Sequence, residues 1–180
     1  IVQGDGGEQG CPLMPALFAL AQHDGLVEAE TMLLPSERIL SFLDDLYVVT
    51  TRDRAAAAFQ IVAGAVERHA GVRSHLGKLR AWSRSGGAAP AEIDALGEDI
   101  WTANNAPEEN GVVILGTPLG TDAFVRSHAE ERLQKEMRLL DKLPALADVQ
   151  CAWVMLAMSA CARANHMARI LPPTTSRDYT

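Results

Sequence analysis

The sequence predicts an α+β chain: a carboxylate-bearing β-hairpin set among helices to about residue 120, then helices alone. Three observations carry that prediction. Residues Ile39 to Val49 are two apolar β-type runs interrupted by Asp44-Asp45. Segments on either side of them repeat their apolar positions at helical spacing, and beyond Gly120 the helical period is the only one present.

In chain order, Pro12 to Leu26 reads as a helix with Leu13, Leu17, Leu20 and Ala21 on one face, its prolines tolerable only in a first turn. Residues 24–38 are polar and read as a loop or short strand leading into the hairpin. The hairpin turn is expected to hold Asp44 and Asp45 side by side. Thr51 or Asp53 then caps a helix running to Ala70, with Phe59, Val62, Ala63 and Val66 at helical spacing and Gly71 as its stop. Strands are expected at Val72–His75, Lys78–Ser83 and Val112–Gly116, with Ser85 to Pro90 as a flexible break suited to a surface insertion. Thr121 caps a helix to Leu143 that buries Val125, Leu133, Met137 and Leu140 and ends at Pro144. A last helix from Asp148 to about Leu171 is apolar on most faces, which predicts burial of Trp153, Val154, Leu156 and Met158. There is no internal repeat.

A chain of 180 residues, 48% apolar and 22% charged, has the composition of a folded protein with one sizeable core and is unlike a disordered one. No apolar run approaches the roughly 20 residues of a membrane span. No signal peptide precedes the first motif, and Ile1 stands almost inside that motif, so the chain reads as an excised piece of a longer protein. Cys11, Cys151 and Cys161 lack CxxC pairing and read as reduced thiols, while Cys161 and His166 are poorly spaced for zinc; an intracellular setting follows, with nucleus and cytoplasm not distinguished.

The net charge of −7 weighs against a nucleic-acid binder taken whole, but the charge is segregated. Arg68, Arg73, Lys78, Arg80 and Arg84 lie in a stretch free of acids, and the six acids between Glu92 and Glu109 lie in a stretch free of bases. A basic stretch following a carboxylate pair suits a phosphate backbone, and equally suits a solvated surface. The carboxylates have their own logic. Adjacent acids repel, and near apolar walls they are stable only if a cation neutralises them; Mg²⁺ is the usual oxygen-seeking partner, with Mn²⁺ as a substitute.

A second segment reads Gly-Gly-Glu-Gln-Gly-Cys-Pro-Leu-Met-Pro-Ala-Leu-Phe over residues 6–18. Together with Phe42-Leu43-Asp44-Asp45 it resembles the reverse transcriptase family, most closely the non-LTR retrotransposon type. Gly6, Gln9, Gly10, Pro12, Pro15, Leu17 and Phe18 match the family's Gly-x-x-Gln-Gly-x-Pro-x-Ser-Pro-x-Leu-Phe signature, and Phe42, Asp44 and Asp45 match its aromatic-x-Asp-Asp box. Leu76-Gly77-Lys78 is similar to the lysine-bearing segment after that box, and Val113 to Gly116 to the following strand with its Leu-Gly pair. Met14 stands where the family has Ser, and Cys11 where it usually has Asp.

The resemblance implies a right-hand polymerase palm, an antiparallel sheet backed by helices, over residues 1–120, and a helical thumb-like segment over 121–180. It implies RNA-directed DNA synthesis: a primer 3′-hydroxyl attacks the α-phosphate of an incoming nucleotide while two divalent ions stabilise the attacking and leaving oxygens. Asp44 would be the principal metal ligand and Asp45 would support the site or the metal. Lys78 would stand near the leaving phosphates or protonate pyrophosphate. Gln9 and Gly10 would line the template and nucleotide pocket, since glycine admits close backbone approach and an amide bonds bases in either sense. For Phe42 and Tyr47, core packing and contact with sugar or primer both stand open. The expected partners are an RNA template, a DNA primer, a deoxynucleoside triphosphate and an upstream fingers and palm segment bearing a third Asp. No membrane partner is expected. Two alternatives remain: a non-catalytic, decayed retroelement remnant that binds nucleic acid weakly, and a helical interaction domain whose acids only make a turn.

Overall fold

A computed structural model describes residues 11–177, apart from the side chains of Arg163 and Ala164. The architecture is α+β, with two small antiparallel sheets among helices. The chain divides into two compact units. The first holds residues up to Leu79 and Ala89–Ile100; the second holds Arg80–Ala88 and the chain from Trp101 onward. The expected break at residue 120 falls inside the second unit.

In the first unit, helix α1 (Met14–Met32) is followed by strands β1 (Arg38–Phe42) and β2 (Asp45–Val49), a 3-10 turn at Arg52–Arg54 and helix α2 (Ala55–Ala70). The hairpin is antiparallel, with Ile39 opposite Val48 and Phe42 opposite Asp45. Alternation puts Ile39, Leu46 and Val48 on one face, where they pack on the core formed by Ala29 and Leu33 with Ala58, Val62, Ala65 and Val66 of α2. A hairpin alone is marginal in water, so this backing by two helices is what makes it stand. Helix α2 ends as expected at Gly71, a left-handed C-cap at φ 67 whose N–H bonds the Glu67 carbonyl. Its start differs: neither Thr51 nor Asp53 caps it with a side chain.

Helix α1 runs six residues further than expected, through the polar stretch read as a loop. Asp24-Gly25 does not break it because Gly25 faces the α2 backbone, where a Cβ would lie 2.9 Å from the Ala65 carbonyl oxygen. Gly25 and Ala29 therefore form the contact face, and the polar residues are its solvent side. Glu28, one turn on, bonds Arg68 and His69 of α2 at 2.5 Å each. Those hydrogen bonds, His69 first and then Arg68, hold its carboxyl below the ordinary value. The apolar Leu13, Leu17 and Leu20 are exposed.

The expected strands at Val72–His75 and Lys78–Ser83 do not form. Leu76–Lys78 is a 3-10 turn, and Ala81 makes a single parallel bridge to Trp101. β-formers without a neighbouring ladder have no partner for their backbone groups. The short helix α3 (Ala91–Asp94) completes the first unit.

In the second unit, the expected strand at Val112–Gly116 is present and has a partner: β3 (Gly111–Ile114) pairs with β4 (Thr117–Gly120). The Ser85–Pro90 break is pinned rather than loose, since the Trp101 indole N–H donates to the Gly87 carbonyl at 2.9 Å. Helix α4 (Asp122–Leu140) starts as expected, with Thr121 Oγ1 accepting the Phe124 N–H at 3.1 Å, and gives way to a 3-10 turn at Leu143–Ala145. Ala129 is its fully buried residue, and Met137 is exposed, against expectation. The last long helix comprises α5 (Val149–Met155), a π-turn at Leu156–Ala160 and α6 (Cys161–Ile170); α7 (Pro173–Ser176) follows. Its core contacts come from Met167 and Leu171, packed with Ala129 and Val125. Trp153 and Met158, expected to be core, are 67% and 77% exposed. Small Ala160 and the end of α6 supply the contact, which leaves the bulky turn outside.

Candidate metal and nucleotide site

The register closes the first hairpin with a two-residue loop, Leu43-Asp44. Such loops need a positive φ at the first position, and Leu43 takes it at φ 55, a conformation costly for a residue with a Cβ. Asp44 is thus the second loop residue and Asp45 the first of β2. Both are exposed at the tip, as is Phe42, which lies across from Asp45. Phe42 is 56% exposed: core packing is overturned for it, and the ring covers the outer, uncovered face of the sheet. Tyr47 is half-buried.

Two buried polar residues hold this hairpin, one at its tip and one at its open end, and neither was evident in the sequence. Gln22 of α1 is 2% exposed, and its Nε2 donates to the Leu43 carbonyl at 2.7 Å and lies 3.4 Å from Ser41 Oγ. The bond fastens the strained loop residue to the helix behind it. Gln22 Oε1 is buried with no partner among the described residues. At the open end of the hairpin, Glu37 is 3% exposed. It accepts from Thr50 Oγ1 at 2.6 Å, from the Leu34 N–H at 2.8 Å and from Arg54 at 3.3 and 3.4 Å. The Thr50 hydroxyl and the Leu34 amide, then Arg54, pull its carboxyl down from 4.5 to about 2. Gln22 sits on the side of α1 that its leucines disguise, and Glu37 looks like a loop acid, so no local signal marks either.

The fit of a divalent cation can be judged from the donors. Asp44 and Asp45 are hard oxygen ligands side by side, and neither takes part in the ion pairs of the described residues. Such a pair could take a cation that keeps most of its waters, as Mg²⁺ does, only where further ligands complete its shell. No group of three or more His, Cys, Asp and Glu suited to a metal occurs among the described residues. Phe42, Asp44 and Asp45 stand together at the hairpin tip, while Lys78 is exposed on its own 3-10 turn and forms none of the ion pairs of the described residues. Gln9 and Gly10 lie outside the described residues.

The second unit has a cleft of about 580 Å³, lined among others by Gly116, Arg132, Glu136, Ser159 and His166. Gly116 closes the β3–β4 loop at φ 81, and a Cβ there would lie 3.3 Å from His166 Nε2. His128 bonds the Gly116 backbone, and burial, followed by Arg132, pushes its imidazole below the ordinary value. No protein-family model, curated protein or solved structure matches this chain.

Proposed function

We propose that the chain is the central part of a retroelement reverse transcriptase, a partial palm with a thumb-like helical segment, and that it serves RNA-directed nucleotidyl transfer through a divalent ion held by Asp44 and Asp45. The observation that carries the reading is the hairpin tip: adjacent carboxylates outside the ion pairs of the described residues, one on a two-residue loop and one opening β2, with the first loop residue at positive φ and its carbonyl bonded by a buried glutamine. Strain kept at a braced, exposed tip is characteristic of functional sites. The order of the Gln-Gly-x-Pro and Asp-Asp motifs supports the family, and the packing of the hairpin on α1 and α2 supports a sheet backed by helices. Two carboxylates hold Mg²⁺ only with help from phosphates or a further ligand, so the isolated chain is expected to be inactive.

The test is primer extension on an RNA template by a polypeptide that joins this chain to an upstream segment supplying a third carboxylate. Mg²⁺-dependent extension that Asp44→Asn removes is the expected result. Extension indifferent to Asp44→Asn would overturn the reading, as would robust synthesis by the 180 residues alone overturn its incompleteness. Salt-sensitive nucleic-acid binding without any response to Mg²⁺ would favour the non-catalytic remnant.

A further inference from the structure

On α4, two charge pairs of equal spacing behave differently. Glu131 and Lys135, one turn apart, meet at 2.5 Å. Arg132 and Glu136 repeat that spacing one residue further along, yet Arg132 takes part in no ion pair among the described residues. The order of charges accounts for the difference: an acid that precedes a base on a helix pairs well, and the reverse order pairs less well. Both Arg132 and Glu136 line the cleft of the second unit, the first exposed and the second half-buried. Ser159 and His166 line it too, Ser159 from the π-turn at Leu156–Ala160, an irregularity that recurs at functional sites. Met158 and Met167 add apolar surface. No part of the polymerase reading uses this cleft.

We propose that the cleft binds a small zwitterion with an apolar body, of the class of an α-amino acid, with its carboxylate on the Arg132 guanidinium and its ammonium on the Glu136 carboxylate. The charges select that class. A plain anion would be drawn to Arg132 and repelled by Glu136, a plain cation would meet the opposite conflict, and a ligand with both charges satisfies each wall group. A guanidinium holds a carboxylate through two parallel N–H donors. A carboxylate has about four lone-pair sites, so Glu136 takes an ammonium beside whatever else it accepts. Methionine is unbranched and polarizable, adapts to the shape laid against it and makes favourable contacts with aromatic rings, so Met158 and Met167 suit an aromatic amino acid. The volume of about 580 Å³ lies in the range of small-molecule sites. The proposal is independent of the polymerase reading.

The experiment is titration calorimetry of the full chain with L-phenylalanine, N-acetyl-L-phenylalanine, L-phenylalaninamide and inorganic phosphate. Only the first carries both charges. L-phenylalanine is expected to bind, and each analogue that lacks one charge to bind about tenfold or more weakly, as loss of a charge-assisted bond does. Arg132→Gln is expected to bind L-phenylalanine no better than its amide, and Glu136→Gln no better than its N-acetyl form, with the fold checked by circular dichroism. A merely structural role for either residue would weaken all probes alike, and that result would overturn the proposal. So would analogues that match L-phenylalanine in the wild type, or phosphate that binds more tightly than it. No binding of L-phenylalanine up to its solubility would overturn it outright.

Discussion

The two hairpins solve one backbone problem with different chemistry. Each closes with a two-residue loop whose first residue is a leucine at positive φ, Leu43 at 55 and Leu115 at 49. In the second hairpin the next residue is Gly116 at φ 81, the relaxed choice for a turn that follows the strand twist. In the first it is Asp44, which brings a charge where a glycine would serve. The bases differ too. The β3–β4 hairpin opens between Gly111 and Gly120, packed under Phe124, and is closed by Asn110, which bonds the Trp82 indole and the Ala103 carbonyl. The β1–β2 hairpin is closed by a buried carboxylate and braced at its tip by a buried amide. Both hairpins combine packing with polar bonds at the base; the first rests on helices and a buried carboxylate with an amide bond to its loop, the second on glycines under Phe124 with the Asn110 bonds. Directional bonds fix where a tip points, which matters only if the tip holds something.

The largest expected effect tests that distinction at the acids. Under the proposed function, Asp44→Asn in the polypeptide joined to an upstream segment is expected to lower primer extension by on the order of 10²–10³-fold, with Asp45→Asn less severe, because a preorganised charge at the reacting phosphate would be lost. Leu115→Asn at the corresponding place in the other hairpin should change extension little. Steady-state rates at saturating Mg²⁺ compare the three, and equal losses in all would erase the difference between the tips.

Next in size is the clamp at the base. Glu37→Ala strands the Leu34 amide, the Thr50 hydroxyl and Arg54, and is expected to destabilise the first unit by about 2–4 kcal/mol in urea unfolding. The pH dependence has a definite sign. A carboxyl lowered from 4.5 to about 2 contributes stability above the higher value and loses it as pH falls toward the lower. Wild type should therefore lose stability between pH 4.5 and 2 more steeply than Glu37→Gln. Parallel acid transitions would show that the clamp does not depend on charge.

The β3–β4 hairpin should respond to volume instead. A Cβ at Gly120 would overlap the Asn110 carbonyl oxygen and approach Phe124 Cδ1 to 2.8 Å. Gly120→Ala is expected to cost about 1–3 kcal/mol with no pH dependence below neutrality, as overpacking does. Thermal unfolding at two pH values separates it from Glu37→Gln.

These positions also show what the sequence could tell. The acids between two apolar runs placed the first loop to within one residue, the second loop lies in a stretch read as strand and was missed, and the helix-stop glycine at Gly71 was legible because its backbone role is local. Helix faces were less so. Leu17 and Leu20 of α1 and Trp153 and Met155 of α5 are exposed, and the contact runs through Gly25, Ala29 and Ala160, where small residues let backbones approach. Hydrophobic periodicity weights size, so it marks the wrong side of a helix that packs through its small face. Asp44, Asp45 and Phe42 were found as a local motif. Gln22 acts across 21 residues and Glu37 across 17, separations at which one sequence alone carries no pairing signal.

The smallest expected effect isolates the brace itself. Leu43→Gly relieves the positive φ, worth about 1 kcal/mol, but gains freedom in the unfolded chain, so its net effect on stability is expected to be within about 0.5 kcal/mol of zero. Gln22→Leu removes the donor to the Leu43 carbonyl and is expected to destabilise by about 1–2 kcal/mol. If the amide bond holds Leu43 in its strained conformation, the two changes must couple. Gln22→Leu should then be milder by about 0.5–1 kcal/mol when Leu43 is already glycine. Leu115→Gly has the same backbone chemistry at a loop that Gln22 does not touch, and there the cycle with Gln22→Leu should be additive. Urea unfolding of both cycles decides between them. Coupling at Leu43 alone identifies Gln22 as the residue that fixes the carboxylate tip, and additivity at both would leave the strain of Leu43 with no connection to its brace.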